Sequence, residues 1–97
     1  MRIIARNTLR LYWETEPAAR SPLQAWYAEA RAADWTSPAD VRAQFGTASI
    51  LKDGRIVFNI GGNKYRLVVW INFAFRTIYI RFVGTHKEYD QIDAQTI

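Results

Sequence analysis

Cysteine is absent from this chain, and histidine occurs once. The first absence removes any disulfide framework and any thiolate nucleophile. The second removes the typical zinc site, because one imidazole needs further ligands and no carboxylate cluster at a metal-binding spacing supplies them. The residues therefore call for no metal and no cofactor. No apolar run approaches the roughly 20 residues that a helix needs to cross a bilayer, so no membrane partner is expected. Met1-Arg2-Ile3-Ile4-Ala5-Arg6 has no long apolar run after its charges and does not read as a signal peptide, which makes a cytoplasmic protein the expectation. Prolines number only three against 14% aromatic residues, which argues against disorder. No Ser-His-Asp order, catalytic carboxylate pair or dinucleotide fingerprint is present. Gly61-Gly62-Asn63-Lys64 is no phosphate loop, since the Gly-x-x-x-x-Gly-Lys-Ser/Thr pattern is missing and no helix is expected after the glycines.

What is present fits one domain spanning residues 1–97, long enough to bury a core but with little stability to spare. Thirteen basic against nine acidic side chains give a net charge of +4, a mild excess that suits nucleic acid or an acidic protein as partner.

Ile3 and Ile4 can form a short strand ended by Asn7, a helix-capping residue. Thr8 to about Glu16 reads helical and Pro17 stops it. Ser21-Pro22 and Ser37-Pro38 each pair a capping hydroxyl with proline at the first helical position. The helix after Ser21 carries Leu23, Trp26, Tyr27 and Ala30 on one face and should end near Ala33; the second, with Val41 and Phe45, should end at Gly46. The period then changes. Lys52-Asp53-Gly54-Arg55 reads as a tight hairpin turn, and Gly61-Gly62-Asn63 as a second turn. A long strand runs from Lys64 to about Asn72, and another from Thr77 to Val83. Helices followed by an antiparallel meander define an α+β domain with helices packed on one sheet face.

Alternation divides the strands into two faces. Ile56, Phe58, Ile60, Tyr65, Leu67, Val69, Ile71, Ile78, Ile80 and Phe82 form the expected core face. Arg55, Val57, Asn59, Lys64, Arg66, Val68, Trp70, Tyr79, Arg81 and Val83 form the other. Thr85-x-x-Glu88 is a capping box, which puts His86 in the first turn of a short C-terminal helix at the rim of that second face.

Arg66 and Arg81 share a face on adjacent strands. If the register pairs them, their guanidinium forks can converge on one phosphate; otherwise each is a salt-bridged or solvated surface residue. His86 can exchange a proton near neutral pH. Tyr89, three residues on, either joins it or clamps the helix to the sheet. Lys87 faces phosphate or simply solubilises, and the same choice applies to Arg55 and Lys64 near turns. Trp70 and Tyr79 either stack on bases of single-stranded RNA or form the apolar half of a protein-binding surface.

Two blocks carry a family likeness: Val57-Phe58-Asn59-Ile60-Gly61-Gly62-Asn63-Lys64-Tyr65-Arg66-Leu67-Val68, and Tyr79-Ile80-Arg81-Phe82-Val83-Gly84-Thr85-His86-Lys87-Glu88-Tyr89-Asp90. With the Ser37-Pro38-Ala39-Asp40-Val41 segment, they closely resemble the HigB toxins of bacterial toxin–antitoxin modules, within the RelE-like group, over essentially the whole chain. The resemblance implies a RelE-like α+β fold and a ribosome-dependent mRNA endonuclease. It also implies a HigA-like antitoxin, usually a helix-turn-helix protein. Arg66, Arg81, His86 and Tyr89 match positions in these blocks and are the expected catalytic set, with RNA contacts from Arg55, Lys64, Trp70, Tyr79 and Lys87. Two rival readings remain: a related scaffold acting on gyrase, as ParE-type relatives do, and a noncatalytic module that binds RNA or the ribosome.

Overall fold

Asp53 and Gly54 both turn through left-handed backbone, with φ of 56° and 80°. Positive φ at both central residues matches the right-handed twist of the strands that a tight hairpin joins. Gly54 is also sterically required there, since a Cβ would lie 2.6 Å from the Ile71 carbonyl oxygen. The computed structural model describes Met1–Ile97, and this hairpin begins its sheet meander.

In chain order the elements are β1 (Arg2–Ile4), α1 (Asn7–Thr15), a 3-10 turn (Pro17–Ala19), α2 (Arg20–Ala32), α3 (Pro38–Gln44), β2 (Ser49–Ile50), β3 (Arg55–Ile60), β4 (Tyr65–Asn72), β5 (Thr77–Thr85) and α4 (His86–Tyr89). The five strands are ordered β1-β5-β4-β3-β2. The α+β class and the β2-to-β5 meander are as expected. β1, however, joins β5 in parallel, so the sheet is mixed rather than wholly antiparallel.

The Ser37 cap forms, its hydroxyl accepting from the Asp40 N–H, and Pro38 opens α3. The other two expected caps do not form. Ala5 takes a φ of 68°, Arg6 occupies the cap position of α1, and the Asn7 amide oxygen accepts instead from Arg10. The 3-10 turn after Pro17 runs straight into α2 at Arg20, so the Ser21 hydroxyl has no helix start to cap.

The core lies between the helices and one face of the sheet. Leu9, Leu23, Trp26, Ala30, Trp35 and Val41 meet Ile56, Phe58, Ile60, Tyr65, Leu67, Val69, Ile71, Ile78 and Ile80. The expected parity fails at one place. Val68 pairs with Phe82 but Val69 pairs with Ile80, which leaves Arg81 unpaired in a bulge. An extra residue reverses the alternation beyond it. Val83 therefore enters the core, and Phe82 turns to the second face.

That second face is not open. Residues 90–97 run back across it and bury Ala94 against Val57 and Val68, with Leu51, Phe82, Tyr89, Ile92 and Ile97 packed around them. The Gln95 side chain accepts from the Lys52 N–H and donates to the Lys52 carbonyl, both at 2.9 Å, which pins this segment to the first hairpin.

Candidate functional site

Thr85 ends β5 and caps α4: its hydroxyl accepts from the Glu88 N–H at 3.2 Å, and the Glu88 carboxylate accepts from the Thr85 N–H at 2.8 Å. The same carboxylate oxygen accepts from the Tyr12 hydroxyl of α1 at 3.2 Å, tying the short helix to the helical layer. The Thr85 backbone hydrogen bond, helped by the Thr85 and Tyr12 hydroxyls, holds the Glu88 carboxyl below its ordinary value against a smaller opposing effect of burial. Burial first and Glu88 second push the Tyr12 phenol far upward, so it stays a donor.

Ionised Glu88 thus favours the fold. Its contribution is present above the ordinary carboxylate value and is lost as pH falls through the lowered one. Amide exchange should show Thr85 and Glu88 losing protection over that acid range. At neutral pH, Thr85→Ala should cost about 1 kcal/mol on thermal melting, the usual loss for a helix cap. An unchanged melting curve would mean that the cap does not hold α4.

On this anchored turn sit His86 and Tyr89, both half-buried, and Lys87, which is exposed. Arg66 lies opposite Asn59 on one side and Gly84 on the other. Its guanidinium donates to the Asn63 amide oxygen at 3.0 Å and lies 5.8 Å from the centre of the Tyr89 ring. Lys64 is exposed in the turn beside Asn63. The turn thus supplies Asn63 and Lys64, β4 supplies Arg66, and α4 supplies His86, Lys87 and Tyr89.

The register does not bring Arg81 to this group. Arg81 sits in the bulge beside Val68 and Val69, one strand away and roughly 7 Å further along β4 at about 3.4 Å per residue. Buried Val68 and Ala94, with partly buried Phe82 packed against them, cover the middle of the face. Arg81 is grouped instead with Arg55. Both donate to the Ile97 carbonyl, Arg81 through Nε at 3.3 Å. Arg55 also pairs across the strands with Trp70, and Trp70 with Tyr79. The Trp70 and Tyr79 rings lie 5.0 Å apart and tilted by 32°, and the Trp70 indole donates to the Asp53 carbonyl at 2.7 Å. Asp53, Arg55, Trp70, Arg81 and Gln95 line a cleft of about 370 Å³. A smaller apolar cleft of about 210 Å³ between α1 and α2, lined by Arg6, Leu9, Trp13, Gln24 and Tyr27, contains none of the site residues.

Arg66 and Arg81, expected to converge if the register paired them, therefore stand at two separate places on the second face. Arg55, read as a turn-side cation, belongs with Arg81. Asn63, expected only as a turn residue, also accepts a hydrogen bond from Arg66, and its three-residue spacing from an arginine across a turn is the one sequence signal for that contact. Gln95 and Tyr12 carried no local signal.

None of Arg55, Lys64, Arg66, Arg81 and Lys87 lies within ion-pair distance of a side-chain carboxylate. The two ion pairs are Arg10–Glu14 and Arg76–Asp34. No group of three or more histidine, cysteine, aspartate or glutamate side chains is gathered in the chain, and no helix is long and apolar enough to cross a membrane. Uncompensated cations beside one imidazole can bind a phosphate and move a proton next to it.

The α+β domain belongs to the RelE-like toxins: residues 19–92 match the family described as HigB_toxin, the RelE-like toxic component of a toxin–antitoxin system. Over 92 residues the chain is 34% identical to the mRNA interferase toxin HigB of Escherichia coli strain K12, which covers 93% of this chain and 88% of that one. The mRNA interferase HigB of Escherichia coli O157:H7 matches to the same extent. That of Escherichia coli O6:H1 (strain CFT073) is 24% identical over 94 residues, covering 95% and 91% of the two chains. The chain belongs to the HigB toxin family.

Proposed function

We propose that this protein is a metal-independent endoribonuclease that cuts mRNA on the ribosome and so arrests translation, and that a HigA-like helix-turn-helix antitoxin neutralises it in the cytoplasm. The observation that carries the reading is the set of unpaired cations around His86 in a chain whose relatives are named mRNA interferases. Only Arg10 and Arg76 of the thirteen basic side chains are ion-paired, so the site's cations are set apart by their place near His86 rather than by lacking a partner. A site that must receive phosphate leaves its positive charge unspent.

RNA supplies its own nucleophile. The 2′-oxygen forms a bond to the adjacent phosphorus as the bond from phosphorus to the 5′-oxygen breaks, giving a 2′,3′-cyclic phosphate and a 5′-hydroxyl. His86 takes the proton of the attacking 2′-hydroxyl. Arg66 donates to the phosphorane oxygens as negative charge builds there. Tyr89 lies on the same turn as His86 and beneath Arg66, where it orients the RNA or protonates the leaving 5′-oxygen. Lys64 and Lys87 add weaker electrostatic support. Arg55, Arg81, Trp70 and Tyr79 form a flanking patch that combines cations with aromatic rings, suited to the backbone and bases of the same strand. The ribosome presents the message.

The test is a translation reaction with a defined mRNA, with cuts mapped in the presence and absence of ribosomes for wild type and His86→Gln. Wild type should cut only on ribosomes. His86→Gln should fall by 10²–10⁴-fold, the usual contribution of a positioned acid or base, and lose the acid limb of the pH–rate profile. Unchanged rate and profile in the variant would remove His86 from the reaction. Blocked translation without cuts would replace the nuclease with a noncatalytic ribosome binder, and absence of both would direct attention to gyrase.

A further inference from the structure

We propose that Asn63 is a positioning residue, whose amide holds the Arg66 guanidinium in place for phosphate without neutralising its charge. The inference rests on the nuclease reading of the same site and assigns a role within it.

Gly61, Gly62 and Asn63 form a turn of three consecutive left-handed residues, with φ of 63°, 62° and 82°. Glycine suits every such position, and asparagine is among the few other residues that tolerate it. The turn conformation alone therefore does not require a side chain at Asn63. What the side chain adds is an acceptor, which takes a hydrogen bond from Arg66 Nη1 at 3.0 Å.

The choice of acceptor matters. Two arginines elsewhere in the chain are fixed by carboxylates: Arg76 by Asp34 at 2.8 Å, and Arg10 by Glu14 at 3.0 Å. Those partners fix the side chain and cancel its charge together. Both groups that touch the Arg66 guanidinium, the Asn63 amide and the Tyr89 ring, are neutral. They order a long side chain that would otherwise lose rotamer freedom on binding, while its full charge and most of its donors remain available. The hold comes from the turn on one side and from α4 on the other, so the guanidinium is fixed relative to His86 as well as to β4.

Asn63→Gly provides a clean test, because glycine keeps the left-handed turn and removes only the acceptor. On programmed ribosomes its kcat should fall roughly tenfold, the scale of one lost hydrogen bond in a reacting geometry, with KM changing less and the melting temperature close to wild type. Asn63→Asp should restore the hydrogen bond but not the rate, because its carboxylate neutralises Arg66. A residue serving only the turn predicts wild-type kcat in both variants, and that result would overturn the proposal. A second readout does not depend on cleavage: titration with inorganic phosphate, followed through the ring resonances of His86, the only histidine. Phosphate should bind more weakly to both variants than to wild type, and equal affinity would overturn the proposal. Wild type that binds phosphate but cuts no RNA would refute the nuclease reading alone, and the phosphate titration would still decide the role of Asn63.

Discussion

Arg66→Ala should lower mRNA cleavage on ribosomes by about 10²–10³-fold, the usual cost of removing a preorganised donor from developing negative charge. The protein should remain folded. Arg66 is half-buried at the edge of the second face, and its contacts are one amide and one aromatic ring. Truncation leaves the Asn63 amide in water and creates no buried orphan, so the expected loss of stability is about 1 kcal/mol or less, largely the cation–π contact. Arg81→Ala should also lower cleavage, but by weakening the flanking patch that holds the RNA strand rather than by removing a donor from the reacting phosphate. Arg81 and Arg55 hold the Ile97 carbonyl, so its removal should also loosen residues 90–97, raising their amide exchange while leaving that of α4 unchanged. Wild-type cleavage by Arg66→Ala would sink the assignment of the reacting phosphate to this end of the sheet.

Phe58→Ala should destabilise the fold by about 3–5 kcal/mol, the range for deleting a buried phenyl group. Phe58 is 1% exposed, and its ring meets Trp26 at 5.3 Å, Phe45 at 5.2 Å and Trp35 at 6.2 Å, joining α2, the end of α3 and the segment between them to β3. No neighbouring side chain is free to collapse into the space of a ring on which three aromatic rings rest. A domain with about 5–15 kcal/mol in total loses a large part of it. Chemical denaturation should show a lower midpoint with an unchanged slope. A midpoint within error of wild type would mean that the aromatic cluster is not the structural centre of the core.

Local chemistry made several elements legible. The Asp53-Gly54 turn, the Ser37-Pro38 helix start and the Thr85–Glu88 box each satisfy backbone requirements within four residues, so short sequence windows contain the information. Strand alternation held for β3 and β4 because both run without interruption. It failed in β5 because a bulge depends on how two strands meet, and nothing near Arg81 announces it. The parallel pairing of β1 was equally hidden: Ile3 and Ile4 mark a strand, but its partner β5 lies at the far end of the chain.

The site divides along the same line. The capping box placed His86 and Tyr89 on one anchored turn, since these residues lie close together in the chain. Whether Arg66 meets Arg81, or Arg55 does, depends on register between strands. Residues 90–97 had no apolar period long enough to mark them as a covering segment, yet Ala94, Ile92 and Ile97 close the middle of the face. By itself, the sequence determined the class of fold, the core-forming strands β3 and β4 and the charged face. Tertiary structure alone decided which cations stand together, Arg66 beside Asn63 and Tyr89 and Arg81 beside Arg55, because that follows from one extra residue in β5 and from a covering segment whose buried partners, Val57 and Val68, lie far back in the chain.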